Sequence, residues 1–227
     1  MEYKKKFLFK YVPQNIRNNL KLDEEAYYSV TDQTTADTIS NELLHNFPDV
    51  KIITDGTACI GGNTYSFSKY FKKVQAIEID KTKFDYLQHN INCLGINNVE
   101  LFNDDVINKI QDLEQDMIFI DPPWGGPNYK DHIYISLNLS GIDISSVCEL
   151  FKNKTKYIAL KVPINFNIIE FEKNTKHFLT NVYKNIRLRK MFLLVYKFHC
   201  LSTLRLALQE CAEPARQCHS AYHRGSD

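Results

Sequence analysis

Met117-Ile118-Phe119-Ile120-Asp121-Pro122-Pro123-Trp124-Gly125-Gly126 is the stretch from which the rest of this chain can be read. Four apolar residues followed by a proline pair read as a short strand buried on both faces, as in a parallel sheet. In open α/β sheets ligands bind just outside the carboxyl ends of such strands, so Asp121 stands where chemistry is expected. The prolines fix φ and remove two backbone donors, leaving a stiff turn whose carbonyls can accept. Trp124 is the only tryptophan. A flat ring beside two permissive glycines suits a planar ligand better than a packed core.

Upstream, Lys51-Ile52-Ile53-Thr54-Asp55 reads as a strand that runs into Gly56-Thr57-Ala58-Cys59-Ile60-Gly61-Gly62-Asn63-Thr64. A glycine-rich turn between a strand and a helix lets backbone approach a ligand closely, although the strict dinucleotide spacing is absent. A helix over 65–71 and a second strand over 74–80 follow. That strand ends at Asp80, about 20 residues past the turn, where Rossmann-like folds grip ribose hydroxyls. Asp80 also suits the N-cap of a helix over 81–94, and the two roles are compatible. After a third strand over 99–103, Asp105 is either an acceptor for an adenine amine or an exposed turn acid. Ahead of these elements, Asp32 caps a helix to residue 46 whose apolar face is Ala36, Ile39, Leu43 and Leu44.

Downstream, an irregular stretch over 127–141 has the length of a functional loop. A helix over 145–151, a strand over 157–162 and a helix over 168–178 come next. Strands over 180–186 and 192–198, joined by Arg187, Arg189 and Lys190, read as an antiparallel edge hairpin. Alternating strands and helices predict an α/β fold: a mainly parallel seven-stranded sheet flanked by helices, with an antiparallel C-terminal hairpin.

Three segments are expected. Residues 1–30 are basic and aromatic, either a loosely packed lead-in or an arm that folds over a charged planar ligand. Residues 31–200 form the catalytic domain. Residues 201–227 lack Lys, Asn and Ile, which are abundant elsewhere, and read as a stretch of different origin. Cys211, Cys218, His219 and His223 in that tail are not read as a metal site, and no metal is expected anywhere. A net charge of +1 argues against a protein that coats long nucleic acid, so a nucleic-acid substrate would be read locally. The six cysteines show no short paired spacing, which argues against zinc and against a disulfide framework. With no apolar signal region and no run of membrane-spanning length, an intracellular protein of nucleus or cytoplasm is expected, with no membrane partner.

A glycine turn after the first strand and an acid ending the second build a site for a nucleoside-containing cofactor. The turn after the fourth strand presents the Asp121 carboxylate and the Pro122 carbonyl to an exocyclic amine. Such an amine on a base is a poor nucleophile, because its lone pair is delocalised into the ring. Two acceptors can hold its N–H bonds and aim the lone pair at an electrophilic methyl, which is catalysis by positioning and charge stabilisation.

These residues carry a resemblance. Lys21-Leu22-Asp23-Glu24-Glu25-Ala26-Tyr27-Tyr28-Ser29-Val30-Thr31, Asp55-Gly56-Thr57-Ala58-Cys59-Ile60-Gly61-Gly62-Asn63-Thr64, Ala76-Ile77-Glu78-Ile79-Asp80 and Pro122-Pro123-Trp124-Gly125-Gly126-Pro127-Asn128-Tyr129 are similar to segments of the trimethylguanosine synthase family. Its members are class I S-adenosylmethionine-dependent methyltransferases of the RNA cap. The likeness covers about residues 21–199. It implies a Rossmann-like fold, S-adenosylmethionine as cofactor, and transfer to the exocyclic N2 of a 7-methylguanosine cap on RNA, giving a di- or trimethylguanosine cap. It further implies Asp121, Pro122 and Trp124 as catalytic residues, and Asp55, Gly61, Thr64, Asp80 and Asp105 at the cofactor. Trp124 would stack on the charged base, with Lys21 and Tyr129 at the cap phosphates. The chain would then be a minimal catalytic domain, as in viral or protist versions. Another amino-methyltransferase of RNA or DNA bases, or a non-catalytic cap-binding module, are the alternatives weighed.

Overall fold

The computed structural model describes residues 2–185, 188 and 190–199. Arg187, Arg189 and the tail 201–227, with Cys211, Cys218, His219 and His223, lie outside the described residues. Three short helices lead in, α1 (Glu2–Leu8), α2 (Gln14–Asn19) and α3 (Ala26–Ser29), followed by α4 (Gln33–Asn46). Strands and helices then alternate: β1 (Ile52–Asp55), α5 (Gly62–Tyr70), β2 (Lys73–Ile77), α6 (Lys81–Cys93), β3 (Val99–Phe102), α7 (Val106–Lys109) and β4 (Met117–Ile120). A small hairpin, β5 (Asn138–Leu139) and β6 (Ile142–Asp143), precedes α8 (Ile144–Leu150), β7 (Tyr157–Pro163), α9 (Ile168–Thr175), β8 (Leu179–Asn185) and β9 (Met191–Phe198).

The sheet runs β3-β2-β1-β4-β7-β9-β8. The first five strands pair in parallel, and β9 is antiparallel to both β7 and β8. Its centre is apolar because it is covered on both faces. Successive strand residues face opposite sides, and the buried side chains of β4 and β7 divide accordingly. Ile118, Ile120, Ile158, Leu160 and Val162 join Val147 of α8 and Phe171 of α9 in one cluster. Met117, Phe119, Tyr157 and Ala159 join Ile39 and Leu43 of α4 and Phe67 of α5 in the other. Phe119 and Phe67 meet edge to face with ring centroids 5.1 Å apart. Burying side chains of this size contributes about 1.5–3 kcal/mol each. One residue of β7 breaks the apolar rule: Lys161 is buried with the rest of its strand.

Several sequence expectations are corrected here. The second strand stops at Ile77, not at residue 80, because Ile79 is turned out to solvent and Asp80 opens α6. The C-terminal pair is antiparallel as expected, but β9 sits inside the sheet and only β8 forms the edge. A seven-residue register from Tyr157↔Lys197 to Pro163↔Met191 places it there. The N-terminal residues are not a loosely packed lead-in. Leu8, Phe9, Val12, Leu20, Ala26 and Val30 bury around Ile60 of the glycine turn. Asn90 of α6 clasps this layer: its Oδ1 accepts from the Lys21 backbone N–H at 2.7 Å, and its Nδ2 donates to the Lys21 and Ile60 carbonyls. The stretch 127–141 folds as a 3-10 turn, Pro127–Asp131, followed by the β5–β6 hairpin.

Candidate active site

β1 and β4 lie side by side at the point where the strand order reverses, the crevice that open α/β sheets use for ligands. Hydrogen bonds join the turns leaving these strands. The Gly56 N–H donates to the Phe119 carbonyl at 2.9 Å, and the Ala58 N–H to the Ile77 carbonyl at 3.0 Å. The Asp121 N–H donates to Thr57 Oγ1 at 2.8 Å. Glycine at 56 lets the turns pack closely, since a Cβ there would lie 2.5 Å from Ile120 Cδ1 and 2.8 Å from Val106 Cγ2 and would force those side chains to shift. Gly61 has φ of +101° and begins α5 from a conformation that L side chains rarely adopt.

Asp55 ends β1 fully buried. Its Oδ2 accepts from Thr64 Oγ1 at 2.7 Å, while Oδ1 has no hydrogen-bond partner among the described residues. Burial pushes its pKa up to about 7, the Thr64 bond opposes the shift, and the charges of Asp121 and Glu78 add to it. A buried acceptor without a donor is costly, and a cationic or N–H-bearing ligand at the glycine turn would satisfy it. The site therefore fits a cofactor carrying such a group.

Asp80 lies exposed, accepting from the Lys83 N–H at 2.9 Å as the N-cap of α6. The carboxylate that faces the glycine turn from the end of β2 is Glu78. Its Oε2 accepts from the Cys59 N–H and its Oε1 from the Asp80 N–H, both at 2.8 Å. Burial raises its pKa. Sequence reasoning passed over Glu78. The available signal was that it is the first acid after the strand residues Val74-Gln75-Ala76-Ile77. Asp105 caps α7 by accepting from the Ile107 N–H at 2.9 Å.

On the other side of the crevice, Trp124 and Tyr129 meet edge to face with centroids 5.2 Å apart. The Pro122 carbonyl accepts no hydrogen bond among the described residues, and Trp124 Nε1 is buried without a partner. Asn165, just past β7, holds the 3-10 turn by donating to the Tyr129 carbonyl at 2.8 Å and to the His132 carbonyl at 2.9 Å. Lys161 of β7 is the second residue that sequence reasoning missed. Its Nζ lies 2.5 Å from Asp121 Oδ2 and 5.1 Å from the centroid of the Trp124 ring. Lys21 stands apart from this group: its Nζ lies 6.0 Å from the Tyr86 ring centroid on α6. Among the described residues no hydrogen bond, ion pair or ring contact joins it to Trp124 or Tyr129.

The arrangement thus has two halves, one of backbone and carboxylates and one of a carboxylate beside an aromatic pair. It can hold a cofactor against a flat base bearing N–H donors. Residues 50–201 match the profile of the RNA cap guanine-N2 methyltransferases. The chain is 30% identical over 220 residues to an uncharacterised protein of Acanthamoeba polyphaga mimivirus, covering 85% of each. It is 31% identical over 174 residues to the trimethylguanosine synthase of Schizosaccharomyces pombe, covering 70% of this chain and 71% of that one. A solved putative methyltransferase of Escherichia coli shares the fold with a TM-score of 0.54 at 14% identity, covering 80% of this chain and 92% of that one. Both the profile, which spans more than half of the chain, and the Schizosaccharomyces pombe relative lead to one assignment: the chain belongs to the RNA cap guanine-N2 methyltransferase family.

Proposed function

We propose that this chain transfers a methyl group from S-adenosylmethionine to the exocyclic N2 of a 7-methylguanosine cap on RNA. The observation that carries this reading is the 2.8 Å bond from the Asp121 N–H to Thr57 Oγ1, which makes the cofactor turn and the Asp-Pro-Pro-Trp turn one site. The cofactor supplies an electrophilic methyl on a sulfonium. Asp55 meets its cationic amine, since Oδ1 lacks a donor. Glu78, just past the end of β2, would hold the ribose, with Asp80 beyond it. Gly61, Thr64 and Asp105 complete the pocket.

Trp124 stacks on the substrate base. A 7-methylguanine carries positive charge, and an indole face holds a flat cation better than a neutral ring by about 0.5–2 kcal/mol. Asp121 Oδ and the Pro122 carbonyl accept the two N2 hydrogens and turn the lone pair toward the methyl. As the N–C bond formed and the methyl–sulfur bond broke, its electron pair staying on sulfur, positive charge would build on N2; Asp121 would stabilise it and take the departing proton. Tyr129 and Lys21 then serve the cap phosphates, Lys21 from the α6 side.

Incubation of the full chain with S-adenosylmethionine and a 7-methylguanosine cap dinucleotide, followed by mass spectrometry with fragmentation, tests the reading. The expected product carries one or two added methyl groups on the 7-methylguanine base. Methyl groups on ribose or on the second nucleotide, or none, would refute it.

A further inference from the structure

Lys161 is out of character for its strand. Tyr157-Ile158-Ala159-Leu160 and Val162-Pro163 are buried, as a central parallel strand requires, and the lysine between them is buried too. A buried ammonium must be paired, because taking a charge out of water is costly. The register supplies the partner. β4 and β7 are parallel with Phe119 opposite Ala159 and Ile120 opposite Leu160. One step further Asp121 meets Lys161 on the same face, and the 2.5 Å contact follows, with the two side chains only 13% and 5% exposed. An ammonium has three donors. Among the described residues Asp121 is the only hydrogen-bond partner of the Lys161 ammonium, and the Trp124 ring centroid lies 5.1 Å from it.

We infer that Lys161 is a positioning residue of this site: its ammonium keeps the Asp121 carboxylate charged and oriented as an acceptor, and covers one face of Trp124 so that the substrate base must take the other. This rests on the proposed role of Asp121 and deepens it. Without Lys161 the carboxylate would be buried with no counter-charge. It would then hold its own proton and offer the amine an O–H where an acceptor is needed. The charged groups facing Asp121 are Lys161 from β7 and Asp55 from β1. Burial raises the Asp121 pKa, and the Lys161 charge and hydrogen bond pull it back down. The ring contact has a further consequence: two cations on one face of an indole repel, so an ammonium on that face excludes a positively charged base from it.

The test is a pH titration of Asp carboxyl carbons by NMR in the full chain, with Asp121 assigned through Asp121→Asn. In Lys161→Met the Asp121 midpoint is expected to rise by about one pH unit or more relative to wild type. Lys161→Arg, which keeps the charge, is expected to leave it nearly in place. In parallel, the acid limb of the kcat profile on the cap dinucleotide is expected to move up in Lys161→Met, with the KM for S-adenosylmethionine unchanged. A structural role alone would lower the melting temperature and leave both midpoints fixed. An unchanged Asp121 midpoint in Lys161→Met overturns the inference, as does an equal rise in Lys161→Arg. Should Lys161→Met not fold, Lys161→Gln poses the same question. If the wild-type chain methylates no cap dinucleotide, the functional reading falls, while the titration still decides the role of Lys161.

Discussion

The two halves of the crevice are built by different means. Residues 56–64 are almost wholly buried, and their shape comes from backbone: a glycine with no room for a Cβ, a left-handed glycine, and amides bonded to the ends of β2 and β4. Residues 121–131 are mostly exposed or half-buried, and side chains hold them: Thr57 on the Asp121 amide, Lys161 on its carboxylate, Asn165 on the 3-10 turn. A backbone-built half is rigid and insensitive to most substitutions except at its glycines. A half built by side chains is easily altered at single residues.

The largest effect is expected on the substrate half. Asp121→Asn keeps the shape and removes the charge, so kcat should fall about 10²–10³-fold while cofactor affinity stays at the wild-type level. Parallel turnover assays and calorimetric titrations would show this, and a matching loss of cofactor affinity would break the division between halves. Trp124→Ala comes next. Losing the stacking face should weaken cap-dinucleotide binding roughly 10²-fold, with cofactor binding spared. If titration showed the cofactor lost and the cap retained, the two sides would have been assigned the wrong way round.

The cofactor half should respond through stability. Gly61→Ala forces an L residue to φ of +101° and presses a Cβ to 2.9 Å from Leu87 Cδ1. A loss of about 1–3 kcal/mol by chemical denaturation is expected, with cofactor affinity falling and cap affinity unaffected. Asp55 sharpens the same point through pH. Its folded pKa, about 7, lies above the ordinary carboxylate value, so the folded chain holds an extra proton between pH about 4 and about 7. The contribution of Asp55 to stability is then fully present below that window and is lost as pH rises through it, by at most about 1.4 kcal/mol per pH unit. Asp55→Asn should flatten the curve of melting temperature against pH, and an equally steep curve in that variant would assign the slope to other groups. The smallest effect belongs to Asp80→Ala, which removes the N-cap of α6 and should cost about 1 kcal/mol. A large loss of cofactor affinity in that variant would return the ribose role from Glu78 to Asp80.

Local pattern carried much of this architecture. Met117–Ile120 could be bounded from four apolar residues and a proline pair, and Asp32 could be named as the cap of α4 because its signal lies within one turn. What failed was non-local. Glu78 and Asp80 are two residues apart, and only the end of the β2–β3 ladder, where Ile77 meets Phe102, decides which one faces the turn. Lys161 lies 40 residues beyond Asp121, and nothing short of the β4–β7 register brings them together. The burial of Leu8, Phe9, Val12, Leu20, Ala26 and Val30 depends on Ile60 and Asn90, both distant in sequence, so composition alone left a loose lead-in and an arm over a ligand equally open. Lysine inside an otherwise apolar strand was a visible clue, because a buried charge demands a partner somewhere.

The most direct measurement is the ratio of kcat/KM for a 7-methylated cap dinucleotide over its unmethylated counterpart. An indole face for a charged base, with acceptors for N2, predicts a preference of about 2-fold to about 30-fold from the cation–π contribution alone. Equal values for the two substrates would contradict it.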